Sequence, residues 1–260
     1  MLNNFFGRLL SLVAAVSMSG GLACGKKEPT PAELKLAKAN ELFRAADYTA
    51  AGPEFEASLK LDPKQDVKIW EKGAFAYLKA GNLDKASELL IGTLDAKAST
   101  ERKLETYRNL AGMYLGASSH DKAEHYFGEV MKLDPKDEQS LSWMAEIASI
   151  RGGARANKGP VKTEQLDLAL ARYDQVSAIN PNLPAPYINQ RIAISRYLGH
   201  LVEQKATAEQ DARAAKDKQQ KEALQASAQK FQARIDELRG KLDDTNKKLG
   251  AANKAARAAR

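Results

Sequence analysis

The chain has 260 residues, 43% of them apolar and 28% charged, with a net charge of +7, so it can bury a real core while much of it stays solvated surface. Its single cysteine excludes an internal disulfide and a cysteine-based zinc site. Ala, Lys, Gln, Glu and Leu dominate while Val and Ile are sparse, which excludes a strand-rich fold and predicts an all-α protein. One compact region with extended helical material is expected rather than two packed domains.

Residues 1–23 carry one positive charge, Arg8, then an apolar run from Leu9 to Val16, then small residues. That layout is a secretory signal, too short for a stable membrane span and outside the fold. Its end, Gly-Gly-Leu-Ala-Cys24, resembles the bacterial lipoprotein signal. The resemblance implies that Cys24 is lipidated, with palmitate among its acyl chains, and becomes the first mature residue. Several chains hold a protein firmly where one would not. Gly25 after the cysteine implies the outer membrane, facing the periplasm. Residues 24–31, with Lys26, Lys27, Glu28, Pro29 and Pro31, read as a solvated tether.

Residues 32–183 contain a repeat. Phe55 is followed by Pro63, Phe127 by Pro135 and Tyr173 by Pro181, each eight residues later, and each aromatic follows a turn and a small residue. This resembles the tetratricopeptide repeat, whose unit is two antiparallel helices of about 34 residues. The units fall at 32–65, 67–100, 104–137 and 138–181. The first has Ala39, Leu42, Ala51 and Phe55, and the third matches best through Tyr107, Leu110, Ala111, Tyr114, Ala123 and Phe127. The second offers Trp70, Ala74, Tyr77, Gly81, Ala86 and Leu90, but Ala98 stands where proline should end it. In the fourth, residues 152–163, with Gly152, Gly153, Gly159 and Pro160, form a loop inserted between its helices. Small residues let paired helices approach, bulky ones fill the space between pairs, and proline stops each second helix.

The reading for residues 184–250 is a capping segment running into one long helix, since no Gly or Pro occurs from His200 to Arg239. Ile188, Ile192, Leu198, Leu201 and Val202 are expected to cover the last repeat, with a polar stretch from Glu203 to Glu222 that has nothing to pack on. Leu224, Ala228, Phe231, Ile235, Leu238, Leu242, Thr245 and Leu249 then step by four and three, the seam of a coiled coil. The expectation is a helix that projects and pairs weakly with a second copy through residues 224–249, or with a foreign helix. Residues 251–260 read as a basic tail.

Basic side chains gather at Arg151, Arg155, Lys158 and Lys162 and again at the C-terminus; an exported protein meets anionic envelope polymers or lipid rather than nucleic acid, so no nucleic-acid partner is assigned. His120 and His125 are five apart, about 140° round a helix, too far for two metal ligands on one face. No phosphate loop or Gly-x-Ser-x-Gly turn is present. No catalytic residue, metal or cofactor is assigned. Function is expected on the surface of the repeats. In the tetratricopeptide family the inner face of each first helix holds peptides or partner helices, which here implies Leu36, Asn40, Phe43 and Arg44, then Glu71, Phe75, Leu78 and Lys79, then Glu105 and Arg108. Exposed Phe43 and Phe75 beside Arg44, Lys79 and Arg108 would suit a peptide with apolar and acidic groups. Leu36 stands where the family's carboxylate clamp needs lysine. The leading expectation is a lipid-anchored protein-interaction scaffold of the cell envelope; the alternatives are a periplasmic spacer acting through its coiled coil, and an envelope enzyme or its regulatory subunit.

Overall fold

The computed structural model describes residues 28–94, 98–155 and 159–258. All regular structure among them is helical. Ten helices follow in order: α1 Pro31–Arg44, α2 Tyr48–Leu61, α3 Val67–Lys79, α4 Leu83–Ile91, α5 Thr100–Gly116, α6 His120–Leu133, α7 Glu138–Arg151, α8 Thr163–Ile179, α9 Pro184–Ala214 and α10 Lys218–Ala258. They form two compact units, the first ending at Leu133 and the second beginning at Asp134. This corrects the expectation of one compact region, because α10 folds back and gives the second half a core of its own.

The sequence starts and stops these helices locally. Thr30 accepts from the Glu33 amide while Glu33 reaches back to the Thr30 amide at 2.7 Å, a reciprocal cap. Asp47, Asp66, Asn82, Ser99 and Asp137 cap α2, α3, α4, α5 and α7 in the same role. Within each of the first four pairs the first helix ends through one left-handed residue, Ala46, Gly81, Ser118 and Gly153, at φ between 58° and 80°. The next amide then bonds five residues back, as in Asp47 to Leu42 at 3.0 Å and Ala154 to Ser149 at 3.0 Å. This shared ending reverses the chain onto its own helix, and α7 uses it although an insertion follows.

The repeat residues lie where the pattern requires. Ala39, Ala51, Ala86, Ala111, Ala123, Ala145 and Ala169 are fully buried at the crossings, with Phe55, Phe127 and Tyr173 filling the space beside them. The second pair departs from the others. α4 ends at Gly92, where the Trp70 ring leaves no room for a side chain, since a Cβ would meet Cζ3 at 2.4 Å. The Thr93 hydroxyl caps the Leu90 carbonyl at 2.6 Å and meets the Thr106 hydroxyl at 3.1 Å, which replaces the proline stop missing at Ala98.

The inserted segment is folded at both of its described ends. Ala154 and Val161 join the core around Leu166 and Leu170, the Lys162 amide bonds the Gly152 carbonyl at 3.3 Å, and Arg196 donates to the Gly159 carbonyl at 2.8 Å.

The C-terminal expectation needs the largest correction. The long helix from residue 184 to 250 is two helices, broken at Ala215, where φ is −64° and ψ is 127°. α10 returns antiparallel along α9. Tyr187 packs with Leu249 and Ala252, Thr245 donates to Gln190 at 3.0 Å, and Ile235 and Leu238 share a core with Ile194, Tyr197 and Leu201. The seam face was read correctly, but α9 covers it, so the projecting spacer and the need for a partner helix both fall away. The polar middle has something to pack on, since Ala208, Ala212 and Ala228 are buried. The anchoring face of α9 is also different, because Ile188 and Val202 point outward at 39% and 48% exposure while Tyr187, Gln190, Ile194 and Tyr197 face inward. The basic tail is helical through Ala258.

α8 holds this hairpin by two carboxylates seven residues apart. Asp167 accepts from Tyr197 on α9 at 3.1 Å and from Arg234 on α10. Asp174 accepts from Gln190 on α9 at 2.6 Å and from Lys241 on α10 at 2.5 Å. Each acid thus ties both arms.

Two glycine substitutions should move stability in opposite directions. At Gly73 a Cβ would meet Leu89 Cδ1 at 2.8 Å and Phe55 Cβ at 3.0 Å, so Gly73→Ala should lose about 1–3 kcal/mol by overpacking despite its better helix propensity. At Gly240 nothing lies within 4 Å, so Gly240→Ala should gain about 0.5–1 kcal/mol. Urea unfolding followed by circular dichroism reads both signs.

Candidate functional site

The first unit places the inner faces of α1 and α3 side by side. Phe43, in the last turn of α1, has its ring centroid 5.4 Å from Tyr48, 5.9 Å from Phe55 and 5.7 Å from Phe75. Tyr48 and Phe75 are 5.7 Å apart, edge to face, the arrangement that ring quadrupoles favour. Phe43 and Phe75 are therefore half-buried members of an aromatic cluster, not the freely exposed rings that sequence suggests. The reason is Tyr48, which opens α2 just after the left-handed turn and closes over both.

Cations surround this cluster. Lys79 Nζ sits over the Phe75 ring at 5.4 Å from its centroid. Arg44 is exposed in the last turn of α1 and Lys79 in the last turn of α3, where positive charge suits the helix dipole. Leu78 is half-buried beside Lys79. Asn40 is held from both sides, its Nδ2 donating to the Leu36 carbonyl at 2.9 Å and its Oδ1 accepting from Lys72 at 3.2 Å. Arg108 lies half-buried on α5.

The acids of this face are already paired. Arg102 on α5 donates to Glu71 on α3 at 2.7 Å and to Glu105 at 3.2 Å. Burial raises the Glu71 carboxyl above its ordinary value, against the lowering effect of Arg102. The structure thus brings together Phe43, Phe75 and Lys79, and joins Asn40 to them through α3. Sequence reading missed Tyr48, Lys72 and Arg102. Lys72 had a signal, since it stands three and seven residues before Phe75 and Lys79 on one helical face; Tyr48 and Arg102 act across helices and had none.

Cys24 lies outside the described residues. His120 opens α6 and His125 packs edge-on against Tyr126 at 5.0 Å. Among the described residues no cluster of three or more His, Cys, Asp or Glu could hold a metal, and no helix there is long and apolar enough to cross a membrane.

A second polar group lies in the first unit. Glu56 on α2 accepts from Lys60 at 2.7 Å, from the Tyr77 hydroxyl and from Lys85 at 3.2 Å. Lys60 first, then Tyr77, hold its carboxyl down at about 2, while burial first and Glu56 second raise the Tyr77 hydroxyl. The neighbouring Glu54 is lowered by Lys35 and Lys38.

Helix pairs reversing through one left-handed residue, crossing at buried alanines and presenting their first helices as a face make this the tetratricopeptide-repeat fold. No family model matches the chain and no curated protein matches it. Among solved structures it is similar to a tetratricopeptide repeat protein from Parabacteroides merdae, at 13% identity and a TM-score of 0.47, over 86% of this chain and 92% of the other. It is also similar to YrrB, a tetratricopeptide protein described as having an unusual peptide-binding site, at 12% and 0.40 over 76% and 85%. A third is PilF of Pseudomonas aeruginosa, at 12% and 0.40 over 88% and 97%. Identity this low leaves the functional reading to the chain's own residues.

Acid should weaken the first unit through Glu56. Its carboxyl is depressed on folding, so the stability it contributes is complete above about pH 4.5 and is lost as pH falls toward 2. Glu56→Gln should lower stability at pH 7 by about 1–2 kcal/mol and flatten the decline between pH 4.5 and 2. Urea midpoints measured across that range check the prediction.

Proposed function

We propose that the chain is a lipid-anchored interaction scaffold of the bacterial cell envelope. It holds a peptide or helix of a partner protein on the inner face of α1, α3 and α5 and so assists assembly of an envelope complex. The observation that carries the binding face is the Phe43–Phe75 pair with Lys79 over it, an apolar floor with cations at its margin and its acids already satisfied by Arg102. Such a face suits a segment that offers an aromatic or aliphatic side chain next to a carboxylate. Asn40, fixed between Leu36 and Lys72, gives the face an oriented polar group. The anchor is read from Cys24 and the leader before it, and the outer membrane from Gly25.

Palmitate labelling tests the anchor. Radiolabel should enter the wild type and be absent from Cys24→Ser, and equal labelling of both would end the lipoprotein reading. Binding is tested by reversing charge rather than cutting into the aromatic cluster. Arg44→Glu with Lys79→Glu should keep the chain folded, at a cost of about 0.3–1 kcal/mol for each anion at a helix C-terminus, and reduce capture of envelope proteins about three- to tenfold. Unchanged capture would place the partner elsewhere.

A further inference from the structure

The α9–α10 hairpin reverses within three residues. α9 ends with the Ala215 amide bonded to the Asp211 carbonyl at 2.9 Å. α10 opens at Asp217, whose carboxylate accepts from the Gln220 amide at 2.8 Å and whose carbonyl accepts from the Lys221 amide at 3.0 Å. Ala215 leaves the helix through ψ alone, since its φ of −64° is already helical. Ala215 and Lys216 are strong helix formers, and neither glycine nor proline occurs from His200 to Arg239. Ala215 and Lys216 therefore favour one continuous helix across the turn, against which stand the Asp217 cap and the docking of α10 against α8 and α9.

That hold is uneven. At the base it consists of Ile235 and Leu238 in the core with Ile194 and Tyr197, and of Asp167 and Asp174 gripping Arg234 and Lys241. Toward the turn the buried layer is Ala208, Ala212 and Ala228, methyl groups that bury little apolar area. Opening from the turn end therefore exposes less apolar area than parting Ile235 and Leu238 from Ile194 and Tyr197.

Every contact that α10 makes with α8 and α9 is indifferent to which copy supplies α10. The pairing of Tyr187 with Leu249, Gln190 with Thr245 and Tyr197 with Arg234 runs antiparallel about the turn. Two copies with straightened turns would therefore lie antiparallel, each receiving the other's α10 in the same register. The geometry points to exchange: α10 swaps between two copies of this chain, residues 215–217 become helical, and the resulting dimer reuses the existing interface. The seam that resembles a coiled coil is then the same in monomer and dimer, and concentration decides between them.

The test uses the full chain carrying Cys24→Ser, which leaves no native thiol, with Asp174→Cys on α8 and Lys241→Cys on α10, a paired position whose side chains are open to solvent. A short bismaleimide linker joins the two within one chain if the hairpin is closed and between two chains if α10 has exchanged. The covalent dimer on a denaturing gel should rise with protein concentration. Asp217→Ala removes the cap that exists only in the turn and should raise the exchange constant about fivefold for each turn. Lys216→Pro should abolish the dimer, because proline cannot lie inside a continuous helix, while Ala215 already has the conformation that precedes a proline. Product within one chain at every concentration, in Asp217→Ala as well, would overturn the exchange. A crosslinked dimer that persists in Lys216→Pro would overturn it too.

Discussion

A side chain no larger than a methyl at each helix crossing sets how near two helices come, and the rest of the structure follows from that distance. Ala39 and Ala51 in the first pair, Ala111 and Ala123 in the third and Ala145 and Ala169 in the fourth have no exposed surface. Close approach brings α1 and α3 near enough for Phe43 and Phe75 to touch, so the aromatic floor of the candidate site is a product of the alanines beneath it. Gly73, where Phe55 and Leu89 converge, carries the same constraint to its limit, and so does Gly52 under the Tyr77 ring.

Charge is distributed by the same economy of space. On α8, Asp167 and Asp174 are two turns apart and each reaches both arms of the hairpin, so two residues fix the position of two helices. In the first unit Glu56 collects Lys60, Tyr77 and Lys85. Glu56 is well covered within its network, where a hydrogen-bonded charge contributes more than an exposed pair. The consequence for the site is that Arg44 and Lys79 remain exposed on a face whose own carboxylates are occupied.

The helix pairs were legible because their determinants are local. Small and bulky residues recur at fixed spacing, caps stand at helix starts, and Pro63, Pro135 and Pro181 close second helices. The seam from Leu224 to Leu249 was legible for the same reason, as a face. Its partner was not, because helix propensity across Ala215 and Lys216 argues for continuity, and it takes the docking of α10 onto α8 and α9 together with the Asp217 cap to oppose it. α9 shows the same limit in reverse: Ile188 and Val202 look like anchors by hydrophobicity, yet Tyr187 and Tyr197 took the buried face, with their hydroxyls bonded to the Pro181 carbonyl and Asp167. At the candidate site, Phe43, Phe75 and Lys79 follow from the resemblance to the tetratricopeptide repeat, whose first helices carry the binding face, while Tyr48 and Arg102 reach the site across helices and no pattern within one helix announces them.

The antiparallel return of α10 also decides where the chain can be extended. Ala252 packs beside Tyr187, so the last turns of α10 lie next to the beginning of α9, at the root of the hairpin. The turn at 215–217 is the opposite pole, with Lys216 and Asp217 exposed, so a fluorescent reporter or epitope placed there stands away from the Tyr187, Leu249 and Ala252 contact that closes the root.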